Sequence, residues 1–248
     1  MSNLNSILKS FKVKESLNHH IWKQDGEDYV MRNNVRNKLI QIANDFIDSL
    51  NVPVVISDII MTGSLANYNW SDYSDVDVHI IADFGQFGNK KELYDELFYL
   101  KKSIYNKTHN ITIYGYDVEL YIEDESEIND VKSIAKYSIL NDEWTVKPKQ
   151  DDVEIDYPEI QKKSKKWMKL IDVLIDTVND EDFETATKLI DKYNNKLRKY
   201  RVSGLQSGGE YSDENLVFKV LRRNGYLEKL RSLKDKISDK YLTLKESK

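Results

Sequence analysis

The chain contains no cysteine. Disulfides, thiolate zinc sites and cysteine nucleophiles are therefore excluded, and a cytoplasmic setting is the expectation. Proline is scarce, at three residues in 248, and glycine stops at nine; no low-complexity tract or internal repeat interrupts the chain. No apolar run approaches the roughly 20 residues that a membrane helix requires. The opening MSNLNSILKSFKVKES lacks the apolar core of a signal peptide. With 40% apolar and 32% charged residues and a mean hydropathy of −0.63, what remains is the composition of a soluble globular protein without a membrane partner.

Charge is unevenly spread. Residues 1–150 carry 16 basic and 23 acidic side chains, and residues 151–248 carry 21 and 19. An acidic first half suits metal binding, while basic clusters in the second half suit phosphate.

Hydrophobic spacing divides the chain in the same place. From Asp28 to Leu50, Val35, Leu39, Ile42, Ala43, Phe46, Ile47 and Leu50 fall on one helical stripe. VVISDIIM reads as a strand ending at Gly63, SLANYNW as a helical turn, and DVDVHIIADF as a second strand. In KKELYDELFYLKKSIYN, Leu93, Leu97, Leu100 and Ile104 stand at helical spacing. ITIYGYDVELYIED alternates as a third strand, residues 128–140 suggest a short helix, and DEWTVKP an edge strand. Beyond Pro158 the spacing is helical, with stripes at Trp167–Val178 and Phe183–Tyr200, a Gly/Ser-rich break at SGLQSGGEYSD, and a further helical stretch. The expected organisation is α+β: an N-terminal segment 1–27, a mixed-sheet domain 28–150 with flanking helices, and an all-helical domain 151–248.

One stretch resists a purely structural reading. In MTGSLANYNWSDYSDVDVHI, Asp75 and Asp77 sit inside a strand whose Val76, Val78, Ile80 and Ile81 mark it as buried. Alternation directs both aspartates to one face, roughly 6–7 Å apart, together with His79. Adjacent carboxylates repel unless a cation lies between them, and hard oxygen ligands suit Mg²⁺ or Mn²⁺. Two such ions can hold the attacking and leaving oxygens of a phosphoryl displacement. Gly63 permits close backbone approach and Ser64 offers a hydroxyl to phosphate. The bland alternative is a loop Gly-Ser beside aspartates that solvate a strand end.

Hydrophobic–Gly63–Ser64, ten intervening residues, then Asp75–Val76–Asp77–Val78 resembles the signature of the DNA polymerase β-like nucleotidyltransferase superfamily. The resemblance implies a third carboxylate on a later strand, for which YGYDVELYI offers Glu119, flanked by Val118 and Leu120, and Asp117 as the alternative. LNHHIW, VRNKLIQIANDFI, YSILNDEW and VFKVLRRNGYLEKL further resemble predicted nucleotidyltransferases of bacteriophages and some bacteria, which would place a phage-encoded chain in its host's cytoplasm. That likeness implies a metal-dependent enzyme moving a nucleoside monophosphate from a nucleoside triphosphate, ATP by default, to a hydroxyl acceptor such as RNA or tRNA. Asp75, Asp77 and Glu119 would be catalytic and bind two Mg²⁺ or Mn²⁺ ions, with Asp117 as a further metal candidate. Gly63, Ser64, Lys136 and Lys219 would contact the nucleotide. The competing expectation is a catalytically inactive nucleotide- or RNA-binding protein of the same fold.

Other candidates read more plainly. Ser64 has no triad partners, and His19-His20 lacks a zinc ligand set. Tyr68, Trp70 and Tyr73 suit either base stacking or loop packing. KKSKK (162–166), KLRKYR (196–201) and LRR (221–223) read first as solvated helix faces.

Overall fold

The computed structural model describes residues 4–126, 135–150, 152–178 and 182–244. It is a mixed α and β structure that divides into two units, Val13–Asp152 and a second built from Met1–Lys12 with Val153–Lys248. Residues 1–27, read from the sequence as one segment, are thus shared between the units.

The Val13–Asp152 unit begins with a hairpin, β1 (Trp22–Asp25) and β2 (Asp28–Met31), turned at Gly26 with φ +61°. The helix expected from Asp28 accordingly starts later, as α2 (Asn33–Leu50), and ends on Asn51 in the left-handed conformation at φ 57°. Then come β3 (Ile56–Thr62), a 3-10 turn at Ser64–Ala66, β4 (Val76–Ala82) and α3 (Lys91–Thr108). The third strand is itself a hairpin, β5 (Thr112–Ile113) and β6 (Tyr116–Asp124). The short helix expected at 128–140 falls partly outside the described residues, and its remainder contains a strand, β7 (Lys136–Ser138), which precedes β8 (Glu143–Val146).

The main sheet runs β5-β6-β4-β3-β7-β8, with β8 at one edge. Among the described residues only β4 and β6 are parallel, as the intervening α3 allows, because a parallel pair needs a long crossover. Val76, Val78, Ile80, Leu120, Ile122, Ile59 and Met61 share the buried core with Leu39 and Phe46 of α2 and Phe98 and Tyr105 of α3. Each such side chain contributes on the order of 1.5–3 kcal/mol. Past the two-residue β5, the edge of β6 is closed by Asn106 of α3. Its amide donates to the Leu120 carbonyl (2.9 Å) and accepts from the Leu120 N–H (3.1 Å), standing in for a neighbouring strand.

The residues at helical spacing in α3 are not the ones that face the sheet. The helix's buried residues are Phe98 and Tyr105, whereas Leu93, Leu100 and Ile104 are 63%, 52% and 60% exposed. Phe84, Phe87 and Tyr94 pack around Phe98 and fix which side of the helix meets the sheet.

The helical unit contains α1 (Leu4–Lys9), α4 (Tyr157–Val178), α5 (Phe183–Gly208), α6 (Asp213–Arg223) and α7 (Tyr226–Leu242). Asp182 caps α5 through the N–H groups of Glu184 and Thr185, and Ser212 caps α6 through that of Asn215. The break expected at SGLQSGGEYSD comes later than its composition suggests, since α5 continues through Gly208. Gly204 is buried there against Glu214, where a side chain would collide, so it serves close packing of α5 and α6. Among the described residues no helix is long and apolar enough to cross a membrane.

Candidate functional site

The main sheet has one apolar face and one polar face. The apolar set of β4 and β6 lies in the core; the alternate residues, Asp77 and His79 of β4 and Glu119, Tyr121 and Glu123 of β6, are only half-buried. Register then sets their neighbours. Asp77 pairs with Glu119, His79 with Tyr121 and Ile81 with Glu123 on the parallel side. On the antiparallel side Asp77 faces Thr62, one residue before Gly63. Two acidic positions therefore lie side by side on strands about 4.8 Å apart, with Asp75 immediately before the start of β4.

Tyr121 senses the convergence. Its hydroxyl donates to Glu119 Oε2 at 2.5 Å. Burial, that hydrogen bond, and the charges of Glu119, Asp77 and Asp75 together push the phenol far above its ordinary range. Asp117 is not among these influences; it is exposed and pairs with Thr112 of β5. Of the two candidates for the third carboxylate, Glu119 is the one the structure sets beside Asp77.

The glycine-serine turn abuts the same carboxylate. Gly63 adopts φ 77°, ψ −164°, a region closed to residues with a side chain, and a methyl group there would overlap the Asp77 carboxylate. The turn is held by Asn67 Nδ2 donating to the Gly63 carbonyl (2.8 Å) and by Trp22 Nε1 donating to that of Leu65 (2.7 Å). Ser64 Oγ donates to Ser74 Oγ at 2.7 Å, which also accepts from the Ser71 N–H. This link clasps the loop shut and explains the ten-residue spacing: the turn and the aspartates are opposite ends of one closed loop. The helical turn expected at SLANYNW is a single 3-10 turn, Ser64–Ala66, too short to present a helix dipole to an anion.

Among the described residues, no group of three or more His, Cys, Asp or Glu side chains forms a ready metal-ligating cluster. Glu119 is turned to Tyr121 instead. The donor set nevertheless suits a hard divalent cation, being carboxylate oxygens on neighbouring strands with glycine keeping side chains away from one of them.

Cations border this acidic centre. Lys102 of α3 reaches over the Tyr121 ring at 4.3 Å. His79 stacks on Tyr121 (centroids 4.6 Å) and its Nδ1 lies 2.9 Å from Glu123 Oε1. The hydrogen bond from His79, against the opposing effect of burial, holds the Glu123 carboxyl below its usual value, helped by Lys102 and Lys136. Lys136 lies on β7, next to the β3 strand that leads into Gly63. Tyr121, Glu123 and Lys102 were not singled out from the sequence. The first two follow from Glu119 by simple alternation, whereas Lys102 depends on how α3 seats.

The remaining candidates have internal roles. Tyr68 and Trp70 pack on the core, with Trp70 Nε1 donating to the Ser16 carbonyl. Lys219, in the helical unit, is ion-paired with Glu210 at 2.7 Å. Within KKSKK, Lys163 pairs with Asp213 and Ser164 is buried; within LRR, Arg223 donates to Ser10 Oγ. Arg198 and Arg201 of KLRKYR line a cavity of about 660 Å³ between α5, α6 and α7.

In comparisons with known proteins, the chain matches no family model, no curated protein and no solved structure.

Proposed function

We propose that the chain is a metal-dependent nucleotidyltransferase with a nucleotidyltransferase-type sheet, and that Asp75, Asp77 and Glu119 are its catalytic carboxylates. One observation carries the reading: Asp77 and Glu119 are paired across parallel strands, on the polar face, beside a turn whose glycine leaves room for nothing but the Asp77 carboxylate. A purely structural surface has no need to set acids against each other at this cost. The bland reading, aspartates solvating a strand end, does not account for Glu119 on the neighbouring strand.

In this reading the three carboxylates hold Mg²⁺ or Mn²⁺. The bound ions would supply Lewis acidity at the α-phosphate and at the attacking hydroxyl. The chain orients the carboxylates through the β4–β6 register, and the missing side chain at Gly63 lets the Asp77 carboxylate seat against the turn. Lys102 and Lys136 supply positive charge beside the triphosphate. The acceptor hydroxyl would attack the α-phosphorus of the nucleoside triphosphate, ATP by default, giving up its proton to solvent as the bond to pyrophosphate breaks and pyrophosphate leaves. Positioning and charge neutralisation carry such a transfer.

The hydrogen bond from Tyr121 to Glu119 favours a second reading, a nucleotide- or RNA-binding protein without transfer. One assay separates them. Each α-labelled nucleoside triphosphate is offered with Mg²⁺ or Mn²⁺ to RNA, including tRNA, to protein and to small hydroxyl compounds, and pyrophosphate is measured. Transfer of label that disappears in Asp77→Asn, with folding intact, supports the enzyme. Nucleotide binding without pyrophosphate, or transfer surviving Asp77→Asn, overturns it.

A further inference from the structure

Helix α3 carries an apolar stripe on the side away from its own core. Leu93, Leu100 and Ile104 are more than half exposed, and Leu97 between them is half-buried. A row of large aliphatic side chains open to water costs solubility unless something covers it. The row has the spacing of a two-stranded seam: successive members are four, three and four residues apart. Leu97 and Ile104 occupy the first apolar position of the heptad, and Leu93 and Leu100 the second. The next seam positions in each direction are Lys90 and Lys107, which end it after two heptads.

The flanking charges say what covers it. Glu96 and Lys101 lie on opposite shoulders of the stripe, five residues apart. In a parallel, in-register pair of identical helices, that spacing sets Glu96 of each copy against Lys101 of the other, twice by symmetry. In an antiparallel pair Glu96 would meet Ser103, and Lys101 would meet Tyr94, with no charge satisfied. Glu96 has no ion pair among the described residues, and the Lys101 ammonium donates one bond, to the Ser49 carbonyl (3.2 Å), with two donors remaining.

We propose that a second copy of this chain covers the stripe, through a parallel two-fold contact of α3 with α3. Four such side chains per copy, with their flanking residues, bury on the order of 1,000 Å² in total, at the low end of specific interfaces. A weak, concentration-dependent dimer follows, of the kind that interfaces of this size form.

The test is sedimentation equilibrium of the full chain from about 1 to 100 µM. Dimer formation that is lost in Leu100→Glu is expected; a monomer throughout, or a dimer indifferent to Leu100→Glu, overturns the proposal. Glu96→Lys should weaken association at least tenfold, and Glu96→Lys with Lys101→Glu should restore it. Failure of the double swap refutes the parallel register. Because the chain lacks cysteine, Leu100→Cys introduces a unique thiol. Mild oxidation should link Leu100→Cys chains to each other, whereas Asp48→Cys, on the exposed side of α2, should stay monomeric. If cross-linking instead requires mixing Leu97→Cys with Leu100→Cys chains, the helices run antiparallel and the proposal fails. None of these positions is among the buried residues of α3, Phe98 and Tyr105, so circular dichroism should be unchanged. None of these outcomes depends on whether the polar face of the sheet is catalytic.

Discussion

Gly63→Ala is the sharpest perturbation of the site, because two separate costs meet at one methyl group. The first is conformational. At φ 77°, ψ −164° the backbone occupies a region that only glycine enters freely, and a side chain there costs roughly 1–3 kcal/mol. The second is steric, since the new carbon would overlap the Asp77 carboxylate. That carboxylate must swing off its rotamer, at roughly 0.5–1.5 kcal/mol, or the turn must shift. Together the change should remove about 2–4 kcal/mol, a melting temperature lower by roughly 6–12 °C at about 3 °C per kcal/mol.

Gly26→Ala supplies the control. Gly26 also has positive φ, +61°, but nothing lies within 4 Å of where its side chain would be. Only the left-handed conformation is penalised, by roughly 1–2 kcal/mol, and melting should fall about 3–6 °C. Scanning calorimetry of both variants isolates the collision at Asp77. Should Gly63→Ala melt no lower than Gly26→Ala, the contact between turn and carboxylate is refuted. If the polar face is catalytic, Gly63→Ala should also cut pyrophosphate release at least about 100-fold, because the displaced group is the one being positioned. Lost stability with full activity would show that the Asp77 orientation is irrelevant to turnover.

If the polar face holds a divalent cation, Tyr121→Phe, which releases Glu119 from its hydrogen bond, should raise Mn²⁺ affinity severalfold in titration calorimetry; an unchanged affinity would show that the phenol does not compete with the cation. Asn106→Ala leaves the Leu120 N–H and carbonyl without their partner, costing about 1–3 kcal/mol, and hydrogen exchange at Leu120 should accelerate while that at Ile59 holds. Asp124 is buried, which by itself raises its pKa, yet Lys91, the Ser126 hydroxyl and the N–H groups of Ser126 and Phe84 prevail and hold it at about 2. A depressed carboxyl contributes fully above its ordinary value of 3.8 and loses that contribution as pH falls through about 2. Urea melts at pH 4.5, 3 and 2 should therefore show a fall in wild-type stability that is smaller in Asp124→Asn; equal slopes refute the assignment.

The legible parts of this sequence are those where side-chain period and backbone geometry demand the same thing. Strands β4 and β6 alternate over the segments that carry the acids, because one face is buried and the other only half-buried, and Asp77 and Glu119 stand out as acids on the half-buried count, with Asp75 just before β4. The preference for Glu119 over Asp117 came from its flanking apolar residues, and the register now places Glu119 opposite Asp77. Helical spacing predicts α3 as a helix, which it is, but does not say which of its faces is buried. Leu93, Leu97, Leu100 and Ile104 are a better amphipathic set than the aromatic side that the sheet actually receives, and periodicity records only that a face is apolar, not what it meets. The break near residue 203 misled, since Gly204 reads as a helix breaker although its lack of a side chain is what lets α6 approach. Tyr121 carries no motif at all; its role arises from sitting two residues beyond Glu119.

The pairing of β4 with β6 joins core and site into one constraint. In the observed register Val76, Val78 and Ile80 are buried beside Leu120 and Ile122, and the same pairing sets Asp77 against Glu119 and His79 against Tyr121. A slip of one residue would turn every side chain of one strand to the opposite face. It would place Val118 and Leu120 on the polar side and drive Glu119 and Tyr121 into the core, at a cost of several kcal/mol for the carboxylate alone. Hydrophobic burial, which is blind to chemistry, thereby fixes the relative placement of the acids. Polar substitutions on the open face should accordingly alter the chemistry while leaving the strands where they are, whereas even conservative changes at Val78 or Leu120, buried at 0% and 1% exposure, act on both.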